Sequence, residues 1–246
     1  MAVLAQTQSA LGNYFRHSSG GTQSAVLGLP LLLFYGAGIT LVPEARNGVD
    51  LISSALSRLM AHTANPTAIY IGFYGFLALA DVGLFLWLRK QNRLNPQWLL
   101  PLLAECLLYA FVTGMLSSMA TRSLLGLATD AAGERHFGVV AGLIVSAGAG
   151  LHEELFFRLG GIGLVGLLWL GKDWQKPSMR LVTLVLVSSV VFSLAHYLGE
   201  PFALTSFVFR TVSGVLFATL FLTRGFAVAA WTHALYDAWV IVVLGK

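Results

Sequence analysis

Apolar residues in this chain come in long runs separated by short polar or proline-containing breaks. A helix crossing a hydrocarbon layer of about 30 Å needs roughly 20 largely apolar residues. Windows of that kind occupy residues 25–42, 69–88, 99–119, 181–198, 203–222 and 226–244. One more apolar stretch, 137–171, would be about 52 Å long as a single helix, too long for the layer unless broken or steeply tilted. The pattern predicts that it is two segments meeting near residues 152–158, which makes eight crossings with both termini on the same side. The breaks at 89–98 and 199–202 are short, whereas 43–68 and 120–136 are long enough to hold surface helices. Glycines punctuate the long middle stretch at 138, 142, 148, 150, 160, 161, 163 and 166, and small residues let membrane helices approach closely. No internal repeat or low-complexity segment is present.

Composition sharpens this picture. Of the 246 residues 57% are hydrophobic and 11% charged, and the mean hydropathy is +0.76; a soluble domain carries about 25% charged residues. A water-soluble single domain is excluded, and the expected fold is an all-α, polytopic transmembrane bundle forming one integral unit. Residues 1–24 read as a tail that resembles neither a signal nor a transit peptide. Residues 25–136 read as accessory helices, and 137–246 as the part that carries chemistry. The net charge of +4 arises from 15 basic and 11 acidic residues scattered singly, so no basic run is available to grip nucleic acid. Cys106, the single cysteine, has no disulfide partner in the chain.

Charge does not fix sidedness at this stage. With eight crossings and an internal N-terminus, six basic residues fall inside (Arg16, Arg89, Lys90, Arg93, Arg158, Lys246) and eight outside (Arg46, Arg58, Arg122, Arg135, Lys172, Lys176, Arg180, Arg224), against the positive-inside rule. If 137–171 crossed once, the count would become eight inside and five outside, with Arg158 left in the membrane.

Charged groups at bilayer depth are costly and mark functional candidates. Here they are Asp81, Glu105, Glu153, Glu154, Arg158, His196, Arg210, His233 and Asp237. Asp81 and Glu105 stand alone on early helices, where pairing with Arg210 or a backbone group would make them structural. Arg210, seven residues into its window, is placed to snorkel or to pair with a carboxylate. Glu154 and Arg158 share one helix face in the favourable i,i+4 order, which leaves Glu153 facing elsewhere. Phe192 lies one turn below His196, and His233 and Asp237 are again i and i+4. Their windows run parallel with one span between them, so Glu153, His196 and Asp237 come to a common membrane depth. The bland alternatives are a solvated helix end, an interior histidine and a self-satisfied polar pair. None of these explains adjacent carboxylates flanked by Leu155, Phe156 and Phe157 in a chain so poor in acids.

The ordered set Glu153-Glu154-x-x-x-Arg158, Phe192-x-x-x-His196 and His233-x-x-x-Asp237 resembles the CPBP family of intramembrane proteases, which includes the CAAX prenyl endopeptidases of the Rce1 type and the Abi proteins. The resemblance covers residues 148–243. It implies that Glu153 is the base activating water for attack on a peptide carbonyl, that His196 orients Glu153 and the water, and that His233 and residue 237 line the oxyanion site. Glu154 and Arg158 would fix the motif helix, with Phe192 in support. Position 237 is commonly Asn in the family. Ionised Asp cannot donate a hydrogen bond, so Asp237 has to be protonated, orient His233, or bind metal. The family reading favours a metal-free mechanism; the alternative is a zinc ion held by Glu153, His196, His233 and Asp237. The implied partners are membrane lipid and a peptide, lipidated or membrane-anchored protein substrate, with no nucleic acid, and the implied cavity faces the cytoplasm.

Other readings fit less well. A zincin His-Glu-x-x-His would need histidine at 156, where Phe156 stands. A rhomboid-like serine protease has its echoes, Thr211-Val212-Ser213-Gly214 and Ala195-His196-Tyr197-Leu198-Gly199, in the wrong order. From a different class, an ion- or proton-coupled transporter or an immunity or scaffold protein would use the same buried groups as a relay or as helix glue.

Overall fold

The computed structural model describes residues 12–16, 18–126, 138–199 and 201–245. The first eleven tail residues and His17, positions 127–137 of the expected surface segment and long stretch, Glu200 and Lys246 lie outside the described residues. Helix α1 (Gly21–Leu41) leads through a 3-10 turn (Pro43–Ala45) to the short α2 (Leu51–Met60). Then come α3 (Pro66–Lys90), and α4 (Leu99–Leu125) entered through the turn Pro96–Trp98. Next is α5, one continuous helical stretch (Val139–Asp173). It is followed by α6 (Met179–Ala195) with a terminal 3-10 turn (His196–Leu198), α7 (Leu204–Arg224) and α8 (Phe226–Ala238), extended by a π turn (Trp239–Val243). There is no strand among the described residues.

Local chemistry sets these boundaries. Asp50 accepts a hydrogen bond from the Ser53 amide and so caps α2; Asn65 caps α3, with Pro66 at its first position, and Ser178 caps α6. Each supplies an acceptor to an otherwise orphan N–H. Between α7 and α8 the whole connection is Gly225, at φ 88°, a conformation open to glycine at little steric cost.

Seven helices, α2 aside, are long and apolar enough to cross a membrane. The expectation of eight, with a break near residues 152–158, is corrected. At that point the main chain changes from α (Val139–Glu153) to π bonding (Glu154–Leu164) without stopping. The charges there do not force a break because they lie inside the bundle, where Glu154 and Arg158 form an ion pair at 3.3 Å. Seven crossings put residues 21 and 243 on opposite sides, not the same one. A surface helix within 43–68 is present as α2.

The α-helical half of α5 is the centre of the bundle, packed chiefly on α8 and α1, while α4 lies against α8 and α7. Helices from residues 25–136 therefore share a core with those of 137–246. Contact between α5 and α8 depends on Gly150, where a Cβ would stand 2.5 Å from the Ala230 carbonyl oxygen and 2.6 Å from the Ala234 nitrogen. The lipid-facing periphery shows in exposed Phe76, Leu79, Phe111 and Leu168.

Two sequence expectations for polar groups are revised. Glu105 pairs with Arg224, not Arg210: Nε of Arg224 reaches Oε1 at 2.6 Å and Nη2 reaches Oε2 at 2.9 Å, and Tyr14 donates to the same carboxylate. Arg224, assigned to a loop by pattern, is thereby buried. Arg210 lies over the Tyr197 ring, 5.6 Å from its centroid. The Oδ1 atom of Asp81 is buried and accepts no hydrogen bond among the described residues.

Candidate active site

The four residues singled out by pattern come from α5, the end of α6, and α8, and they converge. Glu153 ends the α-helical half of α5. Its Oε2 is 3.9 Å from His196 Nε2 and 3.8 Å from His233 Nε2. That Oε2 atom is buried with no hydrogen-bond partner among the described residues. Separations beyond about 3.5 Å between polar atoms are the kind a bridging water spans. Asp237 Oδ2 is 3.6 Å from His233 Nε2.

Each imidazole is fixed through its other nitrogen. Nδ1 of His196 lies 2.9 Å from the Phe192 carbonyl oxygen, an acceptor, so that nitrogen carries the proton and the neutral ring presents Nε2 as an acceptor towards Glu153. Nδ1 of His233 lies 2.8 Å from Glu154 Oε1. Glu154 is in turn 3.3 Å from Arg158 Nη1, and Arg158 Nη2 donates to the Gly214 carbonyl at 3.2 Å. Glu154 and Arg158 are almost completely buried, at 0% and 1% exposure. The i,i+4 pair expected from the sequence is therefore an interior support for His233. Phe192 packs edge-on against His196 and Phe157, and its face carries the Arg158 guanidinium at 4.3 Å.

Other contributors carry no motif. Phe217 of α7 stacks flat on His233, centroids 4.4 Å apart at 14°. Asn47, in the loop between α1 and α2, donates from Nδ2 to Glu153 Oε1 at 3.0 Å. Behind it, Asp50 takes a hydrogen bond from Tyr35 at 2.9 Å and stands 3.1 Å from His152 Nε2. Burial works against ionisation of Asp50, but the neighbouring His152 imidazole and the hydrogen bond from the Ser53 amide outweigh it and hold its pKa well below the ordinary carboxylate value. The only sequence sign of this cluster was the density of polar residues between Glu44 and Asp50.

Among the described residues no three His, Cys, Asp or Glu side chains are gathered so as to hold a metal ion. The closest approaches to Glu153 Oε2, 3.8 and 3.9 Å, are wider than ligands about 2.0–2.2 Å from one tetrahedral zinc would be.

Compared with known families, residues 135–239 match the model described as type II CAAX prenyl endopeptidase Rce1-like. This part of the chain resembles an Rce1-like domain. It contains Glu153, Glu154, Arg158, Phe192, His196, His233 and Asp237, and it supports a CAAX-type protease built into an integral, multi-pass membrane protein. Asn47, Asp50 and Tyr35 lie outside the matched residues although they touch or brace their polar cluster. No curated protein and no solved structure matches the chain.

Proposed function

We propose that the protein is an intramembrane endopeptidase in which Glu153 activates water without a metal. The observation that carries this reading is the unsatisfied Oε2 of Glu153 facing two imidazoles at bridging distance. A water between Oε2 and His196 Nε2 donates one hydrogen to each acceptor, which leaves its lone pair free to attack a peptide carbonyl carbon. Glu153 takes the proton as the C–O bond forms, a role in which a positioned carboxylate contributes about 10²–10⁴-fold. The oxygen of the tetrahedral intermediate is stabilised by His233. Because its Nδ1 proton is held by Glu154, donation from Nε2 requires the imidazolium, and the carboxylates of Glu153, Glu154 and Asp237 surround the ring with compensating charge. Asp237 acts as an acceptor that orients His233. Glu153 then passes its proton to the leaving nitrogen as the C–N bond breaks, giving an amine and a carboxylic acid that releases its remaining proton to solvent.

The substrate is a membrane-associated protein, lipidated or anchored, whose scissile segment reaches the cavity from the bilayer. The test is cleavage of a membrane-anchored peptide by purified protein in proteoliposomes. Glu153→Gln keeps shape and hydrogen bonding but removes the base, and is expected to abolish turnover. Turnover by that variant ends the hydrolase reading, and loss of parental activity on chelation ends the metal-free one.

A further inference from the structure

We propose that the active site is completed from outside the Rce1-like domain, by the carboxamide of Asn47, which acts as a positioning residue for the Glu153 carboxylate. This rests on Glu153 being the base. A carboxylate has two equivalent oxygens and turns easily about its last torsion, which is broad and two-fold. Here the two are distinguished: Oε1 accepts from Asn47 Nδ2 at 3.0 Å, and Oε2 is left facing His196 and His233. Without the amide donor nothing else among the described residues hydrogen-bonds Oε1, and the group is free to rotate.

The loop geometry determines which end of the amide points at Glu153. Asn47 Oδ1 accepts from the Val49 amide at 2.8 Å. An N–H can only donate, so the NH₂ end is the one at the carboxylate. Loop and base are further tied through a polar chain that starts beside Glu153 itself. His152 Nδ1 lies 3.0 Å from the Gly148 carbonyl and its Nε2 faces Asp50. Tyr35 donates to Asp50 and accepts from the Asn47 amide at 2.9 Å. Tyr35 and Asp50 are buried at 0% and 2% exposure, so the loop is held against α5 by interior bonds.

Two single variants separate positioning from a mere turn. Asn47→Asp keeps the acceptor for Val49 but removes the donor and sets a second carboxylate against Glu153. Asn47→Ser keeps a shorter acceptor, adds no charge and cannot reach Glu153. Both are expected to lower kcat by about 10–100-fold, the scale of a displaced reacting group, with KM unchanged and with parental thermal stability for Asn47→Ser. Parental kcat in either folded variant overturns the proposal. An inactive Glu153→Gln beside a fully active Asn47→Ser rejects this inference alone, whereas an active Glu153→Gln rejects the base assignment on which it stands.

Discussion

Nδ1 of His233 stands 2.8 Å from Oε1 of Glu154, and this contact decides what the other nitrogen can do. The carboxylate keeps a proton on Nδ1 and compensates a charge on the ring. Glu154→Gln offers a neutral amide in its place, which removes the charge that compensates the imidazolium and leaves a neutral ring, a weaker donor to the oxyanion. The expected result is a fall in kcat of about 10²–10³-fold, comparable to the loss of one oxyanion donor. The check is single-turnover cleavage by protein whose helical circular dichroism is unchanged. Activity within threefold of the parent sets aside the charge-compensating role of Glu154.

Much of this arrangement was legible in the sequence. Glu153, His196, His233 and Asp237 announce themselves because each is costly in an apolar run, and helical spacing places them at one depth. The π segment was not legible, because a shift from i→i+4 to i→i+5 bonding leaves no mark in residue type, and the same excess length fits two helices equally well. Nor was the partner of Glu105. Helix α7 carries both Arg210 and Arg224, and spacing along one helix cannot say which end meets α4. Asn47 and Phe217 escaped because their contacts with Glu153 and His233 exist only through tertiary packing.

Close packing between α5 and α8 sets the distance between Glu153 and His233. At Gly150 a methyl group would meet backbone atoms of α8, which cannot swing aside as a side-chain end can. Gly150→Ala should cost about 1–3 kcal/mol from overpacking and reduce kcat by up to about 10²-fold through displacement. Gly160→Ala, whose added carbon meets only the Leu155 carbonyl oxygen at 3.5 Å, should be tolerated. Thermal unfolding and turnover of the two variants check this; equal behaviour would separate the α5–α8 contact from catalysis.

The Arg224–Glu105 pair should govern stability and not chemistry. Its side chains are 10% and 11% exposed, and Arg224 also donates to Ser18 and to the Phe15 carbonyl. Removing one member strands a buried charge, so Arg224→Met is expected to cost about 3–5 kcal/mol, while Arg224→Met with Glu105→Met should recover much of that loss. Unfolding in detergent measures both, and kcat per folded molecule should match the parent throughout. A double variant no more stable than the single would mean that the pair is not coupled.

Orientation follows from the number of crossings. With seven, and the start of α1 on the cytoplasmic side, Arg16, Arg89, Lys90, Arg93, Lys172, Lys176, Arg180 and Arg224 fall inside, and Arg46, Arg58, Arg122, Arg135 and Lys246 outside. Eight against five favours this insertion. The loop carrying Asn47 follows the first crossing, His196 ends the fifth, and Asp237 lies in the second half of the seventh. All three are then on the outer side, so the charge count turns the cavity away from the cytoplasm, opposite to the face implied by the family resemblance. Cys106 is buried and is removed as Cys106→Ser, which leaves a background for single cysteines at the exposed positions Gly48→Cys and Lys176→Cys. An impermeant thiol reagent on intact cells should label the first and reach the second only after permeabilisation. The reverse pattern places the mouth in the cytoplasm and means that interactions other than loop charge set the insertion, which in turn decides which compartment's proteins can reach Glu153.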